Sequence, residues 1–325
     1  MNKTRSRLIK MLHDSSAPVS GPALAARLDV SRAAIWKHIE ALRDAGFEID
    51  SSPDGYNVTA VTGYNGPTIT FGLEAPYRVE YADQYESTND RARELAKMDV
   101  TDDVAVVADA QTGGRGRLDR QWSSPSGGIW VSLLLHPRCS PAELPVYTFA
   151  AAVAVVRAVQ QCGIDVSIKW PNDVLLSRDA PEVDSSTGRK LAGILTETAG
   201  EADQVSWLIV GIGLNANIDS TALPPAATSL QSVTGAVDRR ALLQRVLNSF
   251  AELTNPIDSA DILDAWRAHS TTLNQQVRIT TPRKTIEGIA VDIQAPGALI
   301  VQTDEGTETV HAGDCEHLRP TGNNS

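Results

Sequence analysis

The sequence predicts a mixed α+β protein built in three consecutive parts, and three observations predict it. Apolar residues recur at helical spacing over residues 8–42 and then alternate across a Pro-Asp-Gly turn. Strand-like and helical apolar runs interleave over residues 76–270, and residues 271–320 carry only short alternating strands between close turns. A chain of 325 residues, 42% of them hydrophobic, is long enough for two or three packed domains, which the pattern places at 1–65, 76–270 and 271–320.

In the first part, Leu8, Ile9, Met11 and Leu12 give one helix an apolar face. Ser20 can cap a second helix carrying Leu24, Ala25 and Leu28, and Ser31 a third carrying Ile35, Ile39 and Leu42, with Asp29-Val30 as the tight turn between them. Phe47 and Ile49, the turn Ser52-Pro53-Asp54-Gly55 and Tyr56-Asn57-Val58 read as a hairpin. Three helices and a hairpin in this order make a winged helix-turn-helix. The third helix would turn Ser31, Arg32, Ala33, Trp36 and Lys37 outward near its N-terminus, where a recognition helix meets base edges and phosphates. DNA is one partner that suits this face. The other reading is a docking or dimerisation module, since eight Lys and Arg against seven acids over residues 1–62 would release few counterions.

In the middle part, Val104–Ala108, Ile129–Leu135, Val166–Trp170 and Trp207–Val210 are strand-like. Tyr147–Cys162 is an Ala- and Val-rich buried helix stopped at Gly163. Val174–Leu176 and Leu191–Glu197 flank a polar hairpin loop from Arg178 to Arg189 that carries Asp179, Glu182, Asp184, Ser185 and Ser186, and helices follow at Arg239–Leu253 and Ala260–His269. Strand pairs joined by hairpins, with helices between, predict an α+β sheet rather than a doubly wound one. In the last part, Gln276–Ile279, Ile286–Val291, Ala298–Gln302 and Glu308–His311 alternate between turns as in a small barrel, and no catalytic cluster stands out there.

Composition narrows the class. Acids outnumber bases 40 to 29, and the base is mostly Arg, a balance in which hydrated carboxylates keep a protein soluble in concentrated salt. Cys139, Cys162 and Cys315 are odd in number and in no metal-ligand spacing, which predicts buried thiols in a reducing compartment. No run of about eighteen apolar residues is evident and the polar start lacks the core of a signal peptide, so the expectation is a cytoplasmic protein with no membrane partner.

The chemistry concentrates in a few stretches. Gln111-Thr112-Gly113-Gly114-Arg115-Gly116-Arg117 joins glycines that let a backbone turn and approach a ligand to two guanidiniums that can fork onto carboxylate or phosphate. A surface loop with two solvated arginines would read the same way. Asn172-Asp173 after Trp170-Pro171 offers an amide and a carboxylate for a magnesium ion and phosphate oxygens, or an Asx turn. Lys190 opens the next strand within reach of a phosphate. Gly193, Gly211 and Gly213 sit inside strand-like runs, where glycine is costly unless something approaches closely. No Gly-x-Ser-x-Gly elbow, phosphate-loop lysine or dinucleotide fingerprint is present.

The order Glu86-Ser87-Thr88-Asn89, Gln111 to Arg117, Trp122, Lys169 to Asp173, Arg189 to Leu195 and Gly211 to Asn215 resembles the biotin-protein ligases. Ser31 to Ile39 resembles the bifunctional members that also repress biotin operons, and the resemblance covers nearly the whole chain. It implies a central sheet of the biotin/lipoate ligase type, a carboxy-terminal SH3-like barrel, and a two-step reaction. Biotin and ATP give biotinyl-5'-AMP, which a lysine of a biotin carboxyl carrier protein then attacks. The resemblance further implies that Ser87, Thr88, Asn89, Gln111, Arg115, Gly116, Arg117, Lys190, Gly193, Gly211 and Gly213 hold biotin. Arg115, Arg117, Lys169, Asn172, Asp173 and Asn215 would serve the nucleotide, with Asn172 and Asp173 on Mg2+ and Arg117 and Lys190 at the reacting centre. Operator DNA and a homodimer in the adenylate-bound state are implied as well. One departure from the resemblance is Leu118-Asp119-Arg120, where a second Gly-Arg pair is expected. A lipoate ligase of related fold, a sensor without transferase activity, and a ligase whose winged helix no longer binds DNA remain the alternatives.

Overall fold

The computed structural model describes residues 2–98, 100–176, 188–200 and 204–318, which fall into two compact units divided between Leu73 and Glu74. In the first unit, helices α1 (Lys3–His13), α2 (Gly21–Leu28) and α3 (Arg32–Asp44) precede strands β1 (Phe47–Ser52) and β2 (Gly55–Val61) and a short helix α4 (Gly66–Thr70). Asn2, Ser20 and Ser31 cap the three helices by accepting backbone N–H bonds, and Asp29 ends α2 in the left-handed region. Leu8, Ile9, Leu12, Leu24, Ile35, Ile39, Leu42 and Phe47 make its core. The Arg43 guanidinium donates to the Ile49 carbonyl at 2.9 Å through Nε, tying α3 to the hairpin. This is the predicted winged helix.

The second unit is organised by a seven-stranded sheet of order β3-β4-β5-β9-β8-β7-β6. Its strands are β3 (Arg78–Tyr85), β4 (Val104–Gln111), β5 (Ile129–Leu135), β6 (Val166–Lys169), β7 (Asp173–Leu176), β8 (Arg189–Gly200) and β9 (Val205–Leu214). Only β3 and β4 run parallel, so the sheet is of the expected α+β kind. Helix α5 (Thr88–Lys97) lays Ala92 and Leu95 on Val104, Val106, Leu134 and Ile209. Helix α6 (Pro145–Gln160) packs on β6 to β9 and, after the short α7 (Gln231–Thr234), is covered by α8 (Arg239–Thr254) and α9 (Ser259–Ala268).

Strand β3 and helix α5 go beyond the elements that periodicity predicts, because their sequences, RVEYADQY and TNDRARELAK, are mostly polar. Two expectations need amendment. The stretch Pro141–Gln160 is apolar and long enough to cross a membrane by composition, yet 72% of its most apolar window is buried inside the fold, as a core helix requires. Among the thiols only Cys315 is buried, while Cys139 and Cys162 are partly exposed. The loop expected at Arg178 to Arg189 lies largely outside the described residues, although Leu176 and Arg189 do pair as a hairpin there.

Strands β10 (Gln276–Thr280), β11 (Thr285–Gln294), β12 (Ala298–Thr303), β13 (Gly306–Val310) and β14 (Asp314–His317) form a five-stranded antiparallel sheet in the order β13-β12-β11-β10-β14. Its β11–β12 turn docks on α6 and the β6–β7 hairpin. The Trp170 indole donates to the Gly297 carbonyl at 3.2 Å, and a Cβ on Gly297, whose φ is +140°, would stand 1.8 Å from the Phe149 ring. Gly297→Ala is therefore expected to cost about 1–3 kcal/mol by overpacking. A urea titration reads this as a lower midpoint, and Phe149→Leu in the same chain should return part of the loss.

Candidate functional site

Three strand glycines make the floor of a cavity of about 270 Å³ in the second unit. Ser132 on β5 stands opposite Gly211 on β9, and Gly213 on β9 opposite Gly193 on β8. Side chains alternate along a strand, so Gly211 and Gly213 share the face that Ile209 turns toward α5. A Cβ at Gly211 would lie 2.3 Å from Asn89 Oδ1, and one at Gly213 would lie 2.7 Å from Trp122 Nε1. A Cβ at Gly193 would come within 3.1 Å of the same indole. The strand glycines thus admit a helix side chain and an indole close to the backbone.

The inner end of the cavity is polar and ordered. Ser87 caps α5, which brings Thr88 and Asn89 in from its first turn, and all three are buried. Gln111, the last residue of β4, accepts from the Thr88 amide at 2.7 Å and the Thr88 hydroxyl at 2.9 Å, while its Nε2 donates to Ser124 Oγ at 2.9 Å. The Ser132 hydroxyl lies 2.6 Å from Asn89 Oδ1 and 2.7 Å from Thr88 Oγ1. Besides Asp173 Oδ1, which is ion-paired with Lys190, three buried atoms on the cavity wall have no hydrogen-bond partner among the described residues: Asn89 Nδ2, Trp122 Nε1 and Asn215 Oδ1. Orphans of this kind are costly in a closed core and mark a place for a polar ligand.

The outer end is charged. The arginine loop leaves β4 and folds back on itself, Trp122 N–H donating to Gly114 O at 2.9 Å and Gly116 N–H to Arg120 O at 2.7 Å. Gly114 is required by this return, for a Cβ there would meet Trp122 O at 2.5 Å. Sharp turning is not the reason, since Gly113, Gly114 and Gly116 all keep φ outside the left-handed region. That conformation falls instead on Leu118 and Asp119, at φ 56° and 53°.

Arg115 pairs with Asp90 at 2.6 Å, which raises its pKa, and Arg120 pairs with Asp314. Arg117 is different. Its Nη1 donates to Asn172 Oδ1 at 3.2 Å and its Nη2 to the Gly313 carbonyl at 2.9 Å, and burial pulls its pKa below the ordinary guanidinium value. Lys190 pairs with Asp173 at 2.7 Å and stands 4.9 Å from the centre of the Trp122 ring.

Every residue that the sequence nominated for biotin or nucleotide lines this cavity except Lys169. That lysine ends β6, where its charge acts on Asp314 and Cys315. Sequence reasoning did not nominate Asp90, Ser132 or Asp314, and took Trp122 only as part of a motif. A carboxylate two residues after Ser87-Thr88 was the one signal available for Asp90.

In the first unit, Ser31, Arg32, Ala33, Trp36 and Lys37 are all exposed, on the face of α3 turned away from Ile35, Ile39 and Leu42. Trp36 is 57% exposed, unusual for so large an apolar side chain.

The Biotin/lipoate A/B protein ligase family matches residues 81–215, the Biotin protein ligase C terminal domain residues 272–318, and an HTH domain residues 4–57. The chain is 35% identical to the bifunctional ligase/repressor BirA of Bacillus spizizenii over 96% of this chain and 98% of that one. It is 30% identical to BirA of Escherichia coli over 88% of each. Among solved structures, the biotin protein ligase of Aquifex aeolicus in complex with biotin and ATP superposes with a TM-score of 0.61 at 28% identity, over 74% of this chain and 99% of that one.

The hydrogen bond from Arg120 holds the Asp314 carboxyl below its ordinary value of 3.8. A depressed folded-state pKa means that the stabilisation is fully present above 3.8 and is lost as pH falls through the folded value. Asp314→Asn should therefore lower stability by about 0.2–1 kcal/mol near neutral pH and by nothing in strong acid, as expected of a solvent-screened pair. Denaturation midpoints of the two proteins across that range check it.

Proposed function

The chain belongs to the biotin protein ligase family, as a ligase with an amino-terminal helix-turn-helix repressor domain, and from that premise we propose how the cavity works. It activates biotin with ATP and hands it to a lysine of a biotin carboxyl carrier protein. The observation that carries this reading is Arg117, a half-buried cation with no carboxylate in an ion pair with it among the described residues, lining the same cavity as the polar inner end and the paired Lys190.

The ureido ring of biotin both donates and accepts hydrogen bonds, and it suits the inner end, where Asn89 Nδ2 lacks an acceptor beside Thr88, Gln111 and Ser132. A dithiolane ring has no such groups and would leave that donor orphaned. The valeryl chain would run over Gly193, Gly211 and Gly213 beneath Trp122 toward Arg117, with Gly116 and Ser87 at the wall. There a carboxylate oxygen attacks the α-phosphorus of ATP and pyrophosphate leaves. The ε-amine of the carrier lysine then attacks the carboxyl carbon, AMP departs with the bonding pair, and the amine gives up its proton.

The first step brings two anions together and the second leaves charge on the departing AMP, so fixed cations and positioning supply the rate. Arg117 and Lys190 face the carboxyl and phosphate oxygens, and Arg115 lends positive potential from its place beside Asp90. Asn215, with an unpartnered carbonyl oxygen, and the wall of Leu223, Pro224 and Ala227 suit a purine nucleoside. Asp173 and Asn172 would hold magnesium carried by the triphosphate, which would neutralise phosphate charge there, and Asn172 also accepts from Arg117. Lys169 contributes at longer range.

On α3, Arg32 and Lys37 would meet phosphates, and Ser31, Ala33 and Trp36 the edges of a groove in operator DNA. An isologous dimer formed with the adenylate bound would offer two such helices to a palindrome.

Mixed with ATP and biotin the protein should accumulate biotinyl-5'-AMP by mass, and mixed with ATP and lipoate it should accumulate no adenylate; lipoyl-AMP as the sole product of the two mixtures would overturn the assignment. Losing one charge-assisted clasp, Arg117→Ala should release the adenylate about 10- to 100-fold faster in a dilution assay. In a mobility shift on a biotin operon promoter, Lys37→Ala should weaken binding and lower the salt slope by about 1. No salt-sensitive shift, with or without biotin, would leave the winged helix as a docking module.

A further inference from the structure

Four cations line the cavity, and three are neutralised: Arg115 by Asp90, Arg120 by Asp314 and Lys190 by Asp173. Arg117, between the first two, has no carboxylate within ion-pair distance among the described residues. Its guanidinium rests on a carbonyl and an amide oxygen. The flanking acids come from different parts of the unit. Asp90 belongs to the first turn of α5 and also pairs with Arg93, which in turn pairs with Glu197 on β8. Asp314 opens β14, next to the Gly313 carbonyl that receives Arg117.

We infer that Asp90 and Asp314 are positioning residues of the arginine loop, clamping its two flanks from helix α5 and from the carboxy-terminal sheet so that Arg117 is presented to the cavity as its uncommitted cation. The loop needs such clamps because its tip holds Leu118 and Asp119 in the left-handed region, a conformation that favours glycine and that surrounding structure must enforce. Leu118 is 75% exposed, so no packing of its own side chain enforces it. The carboxy-terminal sheet thereby acts on the site through its backbone and one carboxylate. A chain whose Asp314 is neutralised keeps Arg117 but loses one of the contacts that aim it.

Hydrogen exchange on the ligand-free full chain tests the clamp without any assumption about substrate. Peptides spanning residues 113–123 should exchange about two- to fivefold faster in Asp90→Asn and in Asp314→Asn, while β5 keeps its parental rate and reports an intact fold. Asp314→Arg combined with Arg120→Asp should restore slow exchange. Parental exchange in both single variants, or a reversed pair no slower than Asp314→Asn alone, would overturn the proposal. A second arm rests on the ligase reading: adenylate release should quicken by the same factor in the single variants and recover with Asp90→Glu. Should the parent chain form no adenylate, that reading fails while the exchange arm still decides the clamp.

Discussion

A half-buried guanidinium with no carboxylate in an ion pair with it among the described residues is the constraint around which the site in the second unit is arranged. Drawing such an ion even partly out of water is unfavourable, and a paired acid would be the ordinary remedy. Arg117 receives an amide oxygen from the β6–β7 corner and a carbonyl from the carboxy-terminal sheet, both neutral. Neutral acceptors hold the group in place while leaving its charge available to an incoming anion. An ion pair would hold it more firmly and cancel the property that makes it useful.

The same logic runs through the floor. Sheet register sets Ser132 against Gly211 and Gly193 against Gly213, so one face carries a hydroxyl and three missing side chains in a compact block. Asn89 enters the first gap and Trp122 lies over the other two. A slip of one residue in β9 would turn Ile212 into the cavity and both glycines away, so antiparallel pairing on each side of the strand is what defines the pocket.

Much of this was legible in the sequence, and the reasons for the rest are physical. The helix caps Ser20 and Ser31, the hairpin turn and the β4, β5 and β9 runs announce themselves because burial forces apolar periodicity. Strand β3 and helix α5 do not, since one half-buries a polar edge and the other buries few apolar residues, yet α5 delivers Thr88, Asn89 and Asp90 to the site. Glycine codes were visible as glycine and ambiguous as to cause: Gly114 serves close approach, and the left-handed turn went to Leu118 and Asp119. Asp314 was out of reach, because a lone acid in a short strand, far along the chain from the loop it braces, has no local pattern. Lys169 is the nominated residue that stands outside the cavity lining: it ends β6 opposite Asp173, and its charge acts on Asp314 and Cys315.

Helix α6 has a consequence for how the chain is made. Twelve of its residues are buried, and much of its cover, α8 and α9, is encoded some hundred residues downstream. At bacterial or eukaryotic synthesis rates those helices emerge roughly 5–20 s later. Throughout that interval the apolar surface that α8 and α9 bury in the finished fold has no such cover, and the helix cannot complete its packing until the last third of the chain arrives.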